Sequence, residues 1–186
     1  MSQYLQITVS LVEKEQENIE KNRTIVAEIE RELPEVFYTI ESLERLVTEA
    51  GNQAKKEGFL RTLEHYDNRI SAAREHLNEE CQVIFAGKKE LVITSTVGRI
   101  EIKRQRCECK RCGVTFLPFH RILHYSGNIY ITQTLREMGC EKAKDLVYKK
   151  SHEQIQIETG DPEVISEREI ENWVVKTGER VREVEM

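Results

Sequence analysis

The sequence predicts an α+β protein, with antiparallel helices at the N-terminus, a small zinc-ribbon-like antiparallel β hairpin or sheet in the middle and a helix-turn-helix at the C-terminus. Three observations predict it. Apolar residues recur at helical spacing through the first eighty positions. From Cys81 the period changes to two, in a stretch rich in β-branched residues and punctuated by glycine. Past Ile129 the helical period returns and is broken once, at Gly160-Asp161-Pro162. The predicted segments are a helical region over 1–80, a basic zinc-ribbon-like β unit over 81–125 and a helix-turn-helix-like helical unit over 126–186.

In the first segment Leu5, Val12, Ile19, Val26 and Leu33 stand seven apart, with Val9, Ile25 and Ile29 widening the stripe. This predicts a helix that Pro34 ends. The companion positions Thr8, Glu15 and Asn22 are mostly polar, which favours packing within the chain over a dimeric coiled coil. A second helix is expected from Glu35 to Ala50, stopped by Gly51-Asn52. A third is expected from about Phe59 to Glu80, with Leu60, Leu63, Ile70, Ala73 and Leu77 inward. Short links between three helices imply an antiparallel arrangement.

Leu91 to Thr96 is a β-branched run, and Arg99 to Gln105 alternates polar or basic residues with Ile100 and Ile102. Together they predict a hairpin. Arg99, Glu101 and Lys103, with Gln105 at the limit of the pattern, share one largely cationic face. Val114 to Phe119 is a third short strand. Further on, Thr132 to Met138 predicts a short helix ended by Gly139, and Glu141 to about Ile157 a longer one. Ser166-Glu167-Arg168-Glu169 is a capping box opening a last helix that carries Ile170, Trp173, Val174 and Val181. Its acidic first turn suits the positive end of the helix dipole and is poorly suited to phosphate contact.

Charge divides along the chain. The 186 residues carry a net charge of −5. Residues 1–80 hold 10 basic and 17 acidic side chains, residues 81–150 hold 14 and 6, and residues 151–186 hold 4 and 10. A polyanion senses the local field, so the cationic middle is where one would bind. The candidate DNA contacts are Arg99, Lys103, Arg104, Arg106, Lys110 and Arg111. No apolar run reaches the roughly 20 residues of a membrane helix, and Met1–Ser10 lacks the features of a signal peptide. A cytoplasmic protein with no membrane partner is expected.

Three of the five cysteines crowd into Cys107-Glu108-Cys109-Lys110-Arg111-Cys112. In a reducing compartment that argues for thiols or metal ligands rather than disulfides. Cys109 and Cys112 have the spacing of a zinc knuckle, and Gly113 permits its tight turn. Cys107 lies two residues earlier and, in an extended strand, points to the same side. Cys81 precedes the hairpin where another ligand would lie, but no second Cys-x-x-Cys completes the set, and His120, His124 and Cys140 are the other available donors. The candidate zinc ligands are Cys107, Cys109, Cys112 and Cys81.

The run Gly87-Lys88-Lys89, Val92 to Ile100, Arg106 to Gly113 and Phe116-Leu117-Pro118 resembles the N-terminal part of a bacterial insertion-sequence transposase family common in cyanobacteria. The later run from Gly127 through Thr132-Gln133, Leu135-Arg136-Glu137, Glu158-Thr159-Gly160, Val164-Ile165-Ser166 and Glu169-Ile170 to Gly178 is similar to that family's helix-turn-helix in spacing. The resemblance covers residues 81–186. It implies recognition of transposon ends, that is, binding of double-stranded DNA. The family's RNase H-like catalytic domain, whose carboxylates hold divalent metal, would begin where this chain stops. No catalytic residues are assigned, and the chain is not expected to be an enzyme. The other expectation is a protein-interaction or oligomerisation module that associates with itself or with a separately encoded catalytic subunit.

Overall fold

The computed structural model describes residues 3–15, 19–33, 39–72, 82–125 and 127–185. The α+β class stands, but the N-terminal antiparallel helices do not. In their place strands β1 (Gln3–Glu15) and β2 (Ile19–Leu33) form an antiparallel hairpin, followed by one long helix, α1 (Ile40–Ala72). The reason is visible in the residues. Leu5, Ile7, Val9 and Leu11 alternate with Gln6, Thr8 and Ser10, a period of two that a stripe spaced at seven conceals. The register pairs Ile7 with Ile29 and Val9 with Ala27, and shifts between Val9 and Ser10. Ala27 and Ile29 are buried.

Helix α1 runs straight through Gly51-Asn52, where the sequence predicted a stop. A glycine inside a helix costs about 1 kcal/mol, which tertiary packing absorbs, whereas no proline interrupts this segment. Its buried positions Ala50, Ala54 and Gly58 are small and four apart, so the backbone comes close to the hairpin. A Cβ on Gly58 would stand 3.0 Å from Val9 Cγ1.

Strands β3 (Val83–Ser95) and β4 (Gly98–Cys109) form the predicted hairpin, longer than expected at both open ends. The chain divides into two compact units, and this hairpin contributes to each. The first unit holds residues 1–91 and 102–126. Here β5 (Thr115–Phe116) pairs antiparallel with β4, Cys107 opposite Phe116, and the short helix α2 (His120–Leu123) follows. The second unit holds residues 92–101 and 127–186. Here β6 (Ile129–Ile131) pairs parallel with β3, Val92 opposite Ile129 and Thr94 opposite Ile131.

Three helices complete the second unit: α3 (Gln133–Asp145), α4 (Tyr148–Thr159) and α5 (Glu167–Glu185). Thr132 caps α3 by accepting the Leu135 N–H, and the helix passes through Gly139 without ending there. Gly160 closes α4 at φ 65°, and the Ser166 box opens α5, with Ser166 N donating to Glu169 Oε2 at 2.8 Å and Glu169 N to Ser166 Oγ at 3.3 Å. The helix, turn, helix order predicted around Gly160 is present. Leu135, Ile155, Val164, Ile165 and Ile170 form the core, with Met138 and Trp173 packed against it. Among the described residues no helix is long and apolar enough to cross a membrane.

Candidate nucleic-acid interface

Strand β4 decides which of its cations reach solvent. From Gly98 to Arg104 the side chains alternate strictly, with Ile100, Ile102 and Arg104 inward and Arg99, Glu101 and Lys103 outward. Past Arg104 the phase slips. The Gln105 N–H donates to Asp67 Oδ2 at 2.8 Å, and its side-chain amide donates to Asn68 Oδ1 at 3.1 Å. Gln105 is thus half-buried and held to α1, and the alternation resumes with Arg106 outward and Cys107 and Cys109 inward.

Arg104 therefore departs from the expectation of a DNA contact: its residue exposure is 0%. The period of two had already placed it on the side of Ile100 and Ile102, and its charge does not override that geometry. Nη2 reaches the Glu90 carbonyl at 3.5 Å. Burial pulls the guanidinium pKa down, while the nearby Asp67 carboxylate holds it up. Asp67 is enclosed as well, and burial pushes its pKa above the ordinary carboxylate value against the Gln105 N–H, Arg104 and Lys88, which lower it. Its Oδ1 has no hydrogen-bond donor among the described residues.

Beyond β4 the chain turns over Lys110-Arg111-Cys112-Gly113. Gly113 N donates to the Cys109 carbonyl at 2.8 Å, Cys109 N to the Val114 carbonyl at 3.0 Å, and Gly113 takes φ 71°, a value glycine adopts without strain. The turn leaves Lys110, Arg111 and Cys112 exposed. The zinc expectation meets this geometry directly. Cys107 and Cys109 share the inner side of β4, fully buried, and Cys112 faces solvent. Cys81 lies outside the described residues. Among the described residues no group of three His, Cys, Asp or Glu side chains is placed to hold a metal, so these alone do not make a tetrahedral zinc site.

A groove of about 430 Å³ opens in the first unit, lined by Lys89, Arg106, Thr115, Phe116, Leu117 and His120. It combines two cations, an imidazole, a hydroxyl and a ring, with no carboxylate among these residues. Such a lining can neutralise phosphate oxygens and offer an apolar wall to a sugar or base. Lys89 and Phe116 were not singled out from the sequence as binding residues, and His120 was named only as an available metal donor. The signal available was the Lys88-Lys89 pair beside Gly87, which falls within β3.

In the second unit Arg99 is exposed, with Nη2 3.7 Å from Glu101 Oε1, an ion pair too solvated to hold it firmly. Its backbone N–H donates to Asp161 Oδ2 at 2.7 Å, while Asp161 Oδ1 accepts from Glu163 N at 3.0 Å. One carboxylate thus ties the hairpin turn to the turn between α4 and α5. Gly98, at φ 95°, makes room for it: a Cβ there would stand 3.0 Å from Asp161 Oδ2. In the first turn of α5, Glu169 is committed to the cap and Glu167 is exposed, so base reading by that turn has no cation but Arg168.

Comparison of the chain with protein-family models, with curated proteins and with solved structures finds no match.

Proposed function

We propose that this chain is a double-stranded DNA-binding module with no catalytic activity of its own, of the kind that recognises element ends in the insertion-sequence transposases it resembles. The observation that carries the reading is the first unit's groove, in which Lys89, Arg106 and His120 converge and whose described lining residues include no carboxylate. Lys103, Lys110 and Arg111 are exposed on the same unit. In the second unit Arg99 is the exposed cation of the hairpin turn. These residues would bind the phosphodiester backbone, supplying affinity and register rather than base recognition. Arg104 is withdrawn from the set.

The test is the affinity of the full chain for duplex DNA. Changing Arg99, Lys103, Arg106, Lys110 and Arg111 together to Ala is expected to weaken binding at least tenfold, uniformly across DNA sequences. Unchanged affinity would remove the proposal.

A second reading, a protein-interaction module that self-associates or joins a separately made catalytic subunit, is favoured by one feature. On α1, Ile40, Leu43 and Val47 fall on one helical face and are 81%, 38% and 45% exposed. Sedimentation that finds only monomer at every concentration, and no complex with such a subunit, removes this reading. A dimer dispersed by Leu43→Lys supports it.

A further inference from the structure

The second unit has a groove of its own. It lies between α3 and α5, has a volume of about 190 Å³, and uses no residue of the first unit. Each helix contributes a stripe spaced i, i+3, i+4, i+7: Gln133, Arg136, Glu137 and Cys140 from α3, and Trp173, Lys176, Thr177 and Arg180 from α5. The two stripes are held together at Gly139, where a Cβ would stand 3.0 Å from the Trp173 ring atoms Cε3 and Cζ3. Glycine at that point lets the indole seat against α3.

The charges are unequal. Arg136, Lys176 and Arg180 are exposed, and none forms an ion pair among the described residues. Glu137, the carboxylate among the described lining residues, accepts a hydrogen bond from the Gln133 amide at 3.1 Å. Thr177 donates its hydroxyl to the Trp173 carbonyl at 2.8 Å, and Cys140 Sγ lies 3.8 Å from Thr177 Oγ1 across the groove. Three cations without an anionic partner around an indole are a recurrent way of holding a phosphate ester next to a flat ring.

We infer that this groove binds a nucleotide unit, with Arg136, Lys176 and Arg180 on the phosphate and Trp173 against the base. It is a site distinct from the first unit's groove and independent of that reading. It also moves the binding role of the helix-turn-helix away from the acidic first turn of α5 to the middle of that helix. The same chemistry is offered by a strand of nucleic acid and by a free mononucleotide.

Trp173 is the chain's single tryptophan, so its emission reports on this groove directly. The full chain is titrated at low salt with thymidine monophosphate, with a single-stranded oligothymidylate and with inorganic phosphate. Quenching of Trp173 by the oligomer alone assigns a strand, and quenching by the monophosphate at similar affinity assigns a free nucleotide. In either case Arg136→Ala, Lys176→Ala and Arg180→Ala combined should weaken binding at least tenfold. No change in emission with either nucleotide probe overturns the inference. So does inorganic phosphate binding as tightly as the monophosphate, or binding that survives the triple substitution. Loss of duplex affinity on changing the first unit's cations, with Trp173 quenching intact, would separate the two proposals.

Discussion

The two units close their interiors by different means. The second buries Leu135, Ile155, Val164, Ile165 and Ile170 in an apolar cluster and leaves Arg136, Lys176 and Arg180 outside. The first encloses Arg104 and Asp67, one charge of each sign, between α1 and β4. A basic residue therefore means different things in the two places. In the second unit Arg136, Lys176 and Arg180 are surface that a ligand can use. In the first, one cation in the middle of the basic strand is a structural member, and its neighbours Lys103 and Arg106 are the surface. Counting charges along the sequence cannot separate these roles, whereas the side of the strand on which each residue falls does.

Removing one partner of the enclosed pair is the harshest way to test that contrast. Arg104→Ala empties a fully buried volume and removes a cation whose field acts on Asp67, and is expected to cost about 2–5 kcal/mol, measured by urea unfolding. The double change Arg104→Met with Asp67→Leu should recover most of that loss, because neither charge then remains to be desolvated. If Arg104→Ala were neutral for stability but weakened DNA binding, the assignment of Arg104 to the interior would be wrong. In the second unit the corresponding test is local and milder. Ser166→Ala removes one half of the reciprocal cap on α5 and should cost about 1 kcal/mol.

The gentlest probe is pH. Because burial raises the folded-state pKa of Asp67 above its unfolded value, its contribution to stability is complete below the unfolded value, about 4. That contribution is lost as pH rises through the higher folded value. Unfolding free energy measured upward from about pH 4 should therefore carry a declining component that Asp67→Asn removes. A pH dependence identical in the variant would show that Asp67 is not desolvated as described.

What could be read from the sequence follows from where the determining contacts lie. The second unit's turn and caps are local chemistry, so Gly160, Asp161 and the Ser166 box were legible. The N-terminal hairpin was not. Its partners, such as Ile7 and Ile29, lie some twenty residues apart, and a stripe at seven is compatible with a helix until the alternation from Leu5 to Leu11 is weighed beside it. Gly51 and Gly139 were read as helix ends because glycine is a poor helix former. In the structure Gly51 is carried within a long packed helix, and Gly139 admits the Trp173 ring. Of the candidate site, the outward placement of Arg99 and Lys103 and the placing of Cys107 on the same side as Cys109 were legible from alternation, but not that this side is the inner one, because alternation carried on from Ile100 and Ile102 would turn both cysteines outward. The phase slip at Gln105 was not, since it depends on Asp67 from a distant helix.

The central claim, that the exposed cations of the first unit bind DNA phosphates while Arg104 does not, is tested most directly by the salt dependence of duplex binding. Each phosphate contact contributes about 0.9 to the slope of log affinity against log salt concentration. With Lys103, Arg106, Lys110 and Arg111 changed to Ala, the slope should become shallower by about 3 to 4, and with the Arg104→Met, Asp67→Leu pair it should stay as in the parent chain. A slope that the four substitutions leave unchanged would contradict the account.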